Sequence, residues 1–284
     1  MSSLDNTQSR IAAQLNAFKV AAIQMASGPN VEGNLSEARR LVAKAAEQGA
    51  RLVVLPEFFA IMGMNEQDKV KVCEQPGQGP IQQFMSETAR RHKIWLIGSL
   101  PLAASTPDKV RNSCLVFDET GAQVARYDKV HLFNLTLGNE HYNEASTIEA
   151  GDKVVVVDSP FGRIGLAVCY DLRFPEIFRA MKDVNIIVLP SAFTATTGKV
   201  HWEPLVRARA IENLSYVIAA AQGGYHVSGR ETHGHTMVVD PWGRIVDELP
   251  RGSGVVIAEV NPGYQASLRN SLPALSHRTL SCSA

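Results

Sequence analysis

The chain has 284 residues, of which 45% are hydrophobic and 20% charged, and its 28 basic side chains balance its 28 acidic ones. This composition is typical of a globular protein, and the zero balance argues against nucleic acid or an anionic membrane as a partner. The longest apolar runs, in RLVVLPEFFAIMGM and NIIVLPSAF, are too short and interrupted to span a bilayer, which takes roughly 18 to 20 residues.

The predicted elements begin after an N-terminal extension, residues 1–17, which lacks the charged and apolar segments of a secretory signal. No linker rich in Pro, Gly or Ser divides residues 18–284, so we interpret them as one domain. No Cys-x-x-Cys spacing connects the four cysteines, Cys73, Cys114, Cys169 and Cys282. This pattern disfavours a disulfide framework or a thiolate zinc site. The cysteine pattern and the lack of a secretory signal together predict a cytoplasmic protein.

Short runs rich in valine and isoleucine predict ten strands, at 18–25, 51–56, 94–100, 113–118, 154–159, 164–169, 185–190, 216–221, 235–240 and 254–260. Helical spacing predicts helices at 34–48, 79–93 and 201–213. Asn34 is predicted as the N-cap of the first, with Glu37 completing a capping box, and Pro204 lies near the start of the last. Strands that alternate with helices, and hairpin turns at DETGA and DPWGR, predict a mixed α/β sandwich.

The segment GLAVCYDLRFPE, residues 165–176, places Cys169 at the end of an apolar strand, and Pro175 can open a helix after it. Ligands gather at the carboxyl ends of strands in α/β sheets, and a turn into a helix aims free backbone N–H groups at them. Cys169 is therefore a candidate nucleophile. The alternative is an inert buried thiol.

Three charged residues are candidate partners for this thiol. Glu57 follows the strand RLVVLP directly, and its partial desolvation there suits a general base. Lys129, in YDKVHLF, is of the type that favours a thiolate or holds an oxyanion, and Glu144 could position the lysine or a water molecule. Taken singly, each could instead be an ordinary exposed side chain.

Histidine offers a competing site, because one of eight histidines could pair with Cys169 in a Cys–His dyad. His233 and His235, in THGH, are spaced like half of a metal site, but no further ligands follow at a recognisable spacing. Hydrogen-bonded strand histidines are the preferred interpretation of that pair, and no metal is predicted.

Taken together, LPEFF with Glu57, YDKVHLF with Lys129 and GLAVCYDLRFPE with Cys169 resemble the nitrilase superfamily of carbon–nitrogen hydrolases. The resemblance covers residues 18 to 278 and implies a four-layer αββα sandwich that assembles as a homodimer or larger oligomer. It implies that Cys169 is the nucleophile, Glu57 the general base and acid, and Lys129 the oxyanion-binding cation. Glu144 would be a supporting carboxylate, and the chemistry would use no cofactor.

Further segments, among them PSAFTATTGKVHWEP and HGHTMVVDPWG, most resemble the deaminated glutathione amidase branch. That branch implies an amidase acting on a small-molecule linear amide through a cysteine thioester, with release of ammonia. An omega-amidase of α-keto acid amides, a nitrilase and a non-enzymatic scaffold are the alternatives. The expected substrate-binding residues are Tyr170, Arg173, Phe193 and Thr194, although Arg173 could instead form a structural ion pair.

Overall fold

The computed structural model describes residues 16–138 and 140–280, so the predicted N-terminal extension lies outside it except for its last two residues. Most of the described chain forms two six-stranded sheets. The first sheet has the order β16–β1–β2–β3–β4–β5. Its strands are β1 (Phe18–Gln24), β2 (Ala50–Val54), β3 (Trp95–Ala103), β4 (Val110–Phe117), β5 (Gln123–Asp128) and β16 (Gly254–Val260).

The second sheet has the order β15–β14–β11–β10–β9–β8. Its strands are β8 (Val156–Ser159), β9 (Gly162–Leu166), β10 (Ile186–Val188), β11 (Tyr216–Ala219), β14 (Thr236–Val239) and β15 (Ile245–Leu249). Two separate hairpins are formed by β6 (Asn134–Leu137) with β7 (Glu140–Asn143), and by β12 (Gly223–Tyr225) with β13 (Glu231–His233). The predicted turns at 118–122 and 240–244 join β4 to β5 and β14 to β15, as expected.

The helices are α1 (Val31–Glu47), α2 (Asp68–Lys71), α3 (Pro80–His92), α4 (Pro175–Ala180), α5 (Ala195–Asn213) and α6 (Pro262–Ser271). Of these, α1 and α3 cover the outer face of the first sheet, and α4 and α5 cover that of the second. None of the helices within the described ranges combines the length and the apolar character that crossing a bilayer requires.

Alternation along β1 explains the layering. Val20 and Ala22 belong to the core between the two sheets, whereas Ala21 and Ile23 pack with residues of α1 and α3. The helices α4 and α5 contribute to the core on the other side of the second sheet. The predicted sandwich, with its αββα layers, is confirmed.

Two predicted helix starts are wrong. Helix α1 begins at Val31 with Asn30 as its N-cap, and Asn34 lies inside the helix, where its buried amide bonds the backbone of Gly28 and Ala60. Helix α5 begins six residues before the predicted position, so Pro204 lies in its interior instead of its first turn.

Candidate active site

Glu57 lies where β2 leaves the first sheet. The Leu55 N–H still bonds the Ile97 carbonyl of β3, and Pro56 then ends the strand pattern. The Gln222 side chain donates to the Glu57 carbonyl at 3.1 Å, and the Phe58 N–H donates to Ser99 Oγ at 3.0 Å. These bonds fix the backbone on both sides of a glutamate that is only 2% exposed.

Lys129 follows β5 directly, and its ammonium group joins two carboxylates. Nζ lies 2.9 Å from Glu57 Oε1 and 2.8 Å from Glu144 Oε2, and the lysine side chain is fully buried. Asn112 Nδ2 also donates to Glu57 Oε1, at 2.8 Å. The structure therefore brings the three predicted charged residues, Glu57, Lys129 and Glu144, into one hydrogen-bonded group. The alternating sequence pattern around Lys129 does not by itself predict this burial, because it is equally typical of a strand with an exposed lysine.

Glu144 is presented by the hairpin β6–β7, because it is the first residue after β7. The Phe133 N–H, just before β6, donates to Glu144 Oε2 at 2.7 Å, and the Glu144 N–H donates to the Phe133 carbonyl at 3.0 Å. Both ends of the hairpin are thus fixed at the carboxylate that bonds Lys129.

The charge of Lys129 follows from these neighbours. Burial lowers the pKa of this lysine, but the carboxylates of Glu144 and Glu57 outweigh burial and raise the pKa well above its ordinary value. Lys129 is therefore a fixed cation at neutral pH and cannot act as a base.

Cys169 begins a short 3-10 turn, Cys169–Arg173, between β9 and α4, as the sequence predicts. Its φ is +48°, a strained conformation for a residue with a side chain. Its N–H donates to the Pro190 carbonyl at 2.9 Å, and the Ala192 N–H points at its Sγ from 3.5 Å. Burial and the charge of Glu57 raise the pKa of the thiol well above its usual range, despite an opposing effect of Lys129. The resting cysteine is therefore a thiol.

Asp171 connects the cysteine turn to the segment that carries Lys129. One of its oxygens accepts from the Val168 N–H at 2.8 Å and from the Tyr127 hydroxyl at 2.7 Å. The other accepts from the His131 N–H at 3.1 Å and lies 2.7 Å from His131 Nδ1. This carboxylate is fully buried, and it holds the strand end and the turn at a fixed separation.

Cys169 opens on a narrow pocket of about 20 Å³, which Glu57 and Glu144 also line. An adjoining outer cavity of about 230 Å³ shares part of this lining: Glu57, Phe133, Glu144, Ala192 and Arg230. The structure places all four predicted substrate-binding residues, Tyr170, Arg173, Phe193 and Thr194, on the walls of the pocket with Cys169.

Arg173 lies over the rings of Tyr170 and Phe193, 5.7 and 5.3 Å from their centroids. Its Nη1 is 3.1 Å from His201 Nδ1. Within residues 16–138 and 140–280 it has no carboxylate at ion-pair distance, so the alternative of a structural ion pair does not apply there. Thr194 is the N-cap of α5, and its hydroxyl accepts from the Thr197 N–H.

The histidine pair lies elsewhere. The rings of His233 and His235 stack 4.3 Å apart, and His235 Nδ1 contacts Glu248, which matches the preferred interpretation of hydrogen-bonded histidines. No cluster that could hold a metal ion occurs in the part of the chain that the structure describes.

Sequence patterns missed several residues at the site. Asn112 comes from the interior of β4, Asp171 lies within the cysteine motif without a predicted role, and Arg230 precedes β13 in a loop without a recognisable spacing. Arg230 Nη2 donates to the Ala192 carbonyl at 3.0 Å, next to the N–H that faces the thiol. Only tertiary contacts identify these three.

Comparisons with known proteins agree with this geometry. The family model described as carbon-nitrogen hydrolase matches residues 19–270. A deaminated glutathione amidase of Yersinia enterocolitica is 40% identical over 264 residues, which is 91% of this chain and 92% of that protein.

Solved structures extend the comparison. Saccharomyces cerevisiae Nit3, a member of branch 10 of the nitrilase superfamily, gives a TM-score of 0.84 at 32% identity, over 93% of this chain and 97% of that one. A mutant of the amidase from Nesterenkonia sp. AN1, with acrylamide added at its active site cysteine, gives a TM-score of 0.76 at 26% identity. The match covers 90% of this chain and 98% of that one. The chain therefore belongs to the carbon–nitrogen hydrolase family of the nitrilase superfamily, and it is a hydrolase of carbon–nitrogen bonds other than peptide bonds.

Proposed function

We propose that this hydrolase is an amidase that cleaves a linear amide through a thioester on Cys169. The observation that carries the proposal is the buried ion-pair group of Lys129 with Glu57 and Glu144, whose carboxylates line the same pocket as Cys169. Transfer of an acyl group from an amide to a thiol requires a nucleophile, a proton acceptor and a stabilised oxyanion. This group supplies the last two.

In the proposed reaction, Glu57 accepts the thiol proton as Cys169 Sγ attacks the amide carbonyl. The tetrahedral oxyanion is stabilised by the Lys129 ammonium and the Tyr170 backbone N–H. Glu57 then protonates the nitrogen as the carbon–nitrogen bond breaks, which leaves an acyl thioester on Cys169. Glu57 next deprotonates a water molecule that attacks the thioester, and the proton returns to sulfur as the acid leaves. No metal or organic cofactor takes part.

The substrate class follows from the relatives and the pocket. Because relatives at about 40% identity are named deaminated glutathione amidase, we propose a deaminated glutathione-like amide as substrate. Arg173 would bind a carboxylate of the acyl half, and Tyr170, Phe193 and Thr194 would surround it. An omega-amidase activity is the second candidate, because α-ketoglutaramate has the same acyl half as deaminated glutathione and differs only in its leaving group.

The leaving group separates these candidates. Glutathione is a γ-glutamyl amide of cysteinylglycine, so hydrolysis of that bond releases a peptide amine, whereas a primary amide releases ammonia. The release of ammonia that the sequence predicts therefore belongs to the omega-amidase or nitrilase alternatives.

Parallel assays test the proposal. Purified protein and its Cys169→Ala variant are incubated with deaminated glutathione, α-ketoglutaramate and a simple nitrile, and cysteinylglycine and ammonia are measured. We expect hydrolysis of an amide that the variant lacks. Ammonia from the nitrile alone would reject an amidase in favour of a nitrilase, and the absence of any turnover would favour the non-enzymatic scaffold.

The proposed setting is cytoplasmic, and the proposed assembly is a homodimer or a larger homo-oligomer. Among the described residues Cys73, Cys114 and Cys169 are free thiols, which supports a reducing compartment, while Cys282 lies outside those residues. Light scattering on the purified chain tests the assembly, and a monomeric mass would contradict it.

A further inference from the structure

Arg230 lies at the junction of the pocket and the outer cavity, and it lines both. Its guanidinium group lies 5.1 Å from the centroid of the Tyr142 ring, on the hairpin β6–β7. Its Nη2 donates to the Ala192 carbonyl, but its buried Nε has no hydrogen-bond partner among the described residues. A shielded donor without a partner is uncommon, and a substrate oxygen is one group that satisfies it.

The charges around the two cavities are not balanced at this position. Lys129 is paired with Glu57 and Glu144, and Lys69 is paired with Glu66. Within the described ranges, neither Arg173 nor Arg230 has a carboxylate within 4.0 Å. Because Lys129 is shared by two carboxylates, three carboxylates face four cations and the net charge around the cavities is only +1. The two arginines without a carboxylate partner nevertheless offer two separate contacts for anionic groups of a substrate.

The two arginines differ in the space that they face. Arg173 lines only the pocket of Cys169, whereas Arg230 also lines the outer cavity. That cavity, of about 230 Å³, is several times larger than the ~30 Å³ that a water molecule occupies in the liquid, and ammonia is of similar size. The outer cavity is therefore much larger than ammonia requires, and its volume suits a larger leaving group.

From these observations, and on the basis of the proposed function, we propose that the outer cavity binds the amine half of the substrate and that Arg230 binds a carboxylate on that half. With Arg173 on the acyl half, the scissile carbonyl lies between the two arginines and beside Cys169. Arg230 is then a specificity-determining residue, which favours amides whose leaving group carries a free carboxylate. Primary amides react without using this contact.

Three substrates with one acyl group test the assignment: the γ-amides of α-ketoglutarate with cysteinylglycine, with cysteinylglycinamide and with ammonia. We expect the KM of the first substrate, which has a free carboxylate, to be about tenfold or more lower than that of the second, which has a carboxamide instead. A factor of this size corresponds to the loss of one charged hydrogen bond. Arg230→Gln should remove this difference by raising the KM for the first. The KM for the primary amide should rise by a smaller factor than the KM for the first substrate, and Arg230→Lys should restore part of the preference.

Arg251→Gln is the matched control, because Arg251 is exposed and pairs with Glu231 of the same hairpin β12–β13 but lines neither cavity. It should keep the preference for the carboxylate. The assignment is overturned if the protein does not distinguish carboxylate from carboxamide, or if Arg230→Gln lowers kcat equally for all three substrates through its bond to Ala192. If the unmodified protein hydrolyses none of the three, the proposed function itself fails.

Discussion

At the scale of single residues, the important feature is that the buried carboxylate of Glu57 and the partly buried one of Glu144 share one ammonium beside a protonated thiol. The proposed transfer of the proton from Cys169 to Glu57 creates a thiolate and a neutral acid, so the net charge of the pocket does not change in that step. In a site with little water, a step that conserves charge avoids the large cost of an additional buried ion. Lys129 remains charged throughout, because its pKa is raised by both carboxylates.

Replacement of Glu57 tests this proton transfer. Glu57→Gln retains the shape and the contact with Asn112, but it cannot accept a proton. We expect kcat/KM for an amide to fall by roughly 10² to 10⁴-fold, with an unchanged circular dichroism spectrum. A variant that keeps more than about a tenth of the activity would contradict Glu57 as the base.

Replacement of Lys129 tests the ion-pair group. Lys129→Gln leaves Glu57 and Glu144 without their cation, so we expect a loss of about 3 to 5 kcal/mol in the free energy of unfolding by urea. Glu144→Gln added to this variant should recover part of the loss, because one unpaired carboxylate is removed. Additive effects of the two substitutions would show that the residues are not coupled.

At the scale of elements, the end of β5 is held by a close approach of the chain at Gly151. The Gly151 N–H donates to the Lys129 carbonyl at 2.9 Å, and a β-carbon at Gly151 would lie 2.1 Å from the Asp128 carbonyl oxygen. A larger residue therefore cannot occupy this position unless the segment that carries Lys129 moves.

Gly151→Ala should for this reason lower both stability and activity. We expect a loss of about 1 to 3 kcal/mol on unfolding, and a fall in kcat of up to ~10²-fold as Lys129 is displaced. Gly33→Ala in α1 is the control, because its β-carbon would meet nothing closer than 3.7 Å. Equal behaviour of the two variants would refute a positioning role for Gly151.

The hairpin β12–β13 gives a prediction on pH. Burial, with smaller effects of His235 and nearby cations, lowers the pKa of His233 to about 4 from 6.5. Between these values the unfolded chain binds a proton that the folded chain does not, so this contribution to stability is present above pH 6.5 and is lost as the pH falls toward 4. His233→Gln should lose less stability over that range in urea unfolding. An equal loss of stability in the His233→Gln variant and the unmodified protein would contradict the lowered pKa. His277→Gln, at an exposed position, is the control.

At the scale of the whole molecule, the sequence predicts much of the architecture. Cys169 and Glu57 each lie just beyond an apolar strand, so their positions near strand ends could be predicted. Their strands, β9 and β2, belong to different sheets, so the meeting of the two side chains could not. Lys129 and Glu144 could not be assigned from pattern alone, because burial of a lysine depends on partners distant in the chain. Their expected roles came from the family resemblance.

The misplaced residues have physical explanations. Asn34 fits a capping box locally, but its amide instead bonds Gly28 and Ala60 in the folded chain. The first turns of α5 contain threonine, glycine and valine, which favour helix weakly, so the start at Ala195 gives little local signal. Arg230 is found only through tertiary contacts, since its neighbours in sequence have no motif that indicates a binding site.

Mass spectrometry of the acyl-enzyme tests the central claim most directly, namely that Cys169 forms a thioester in the reaction. The protein is mixed with an amide that it hydrolyses, quenched in acid and digested, and the mass of the peptide with Cys169 is measured. The account predicts an adduct equal to the acyl group on Cys169, absent from the Cys169→Ser variant. Steady amide hydrolysis with no adduct on this peptide, and with activity retained in Cys169→Ser, would contradict it.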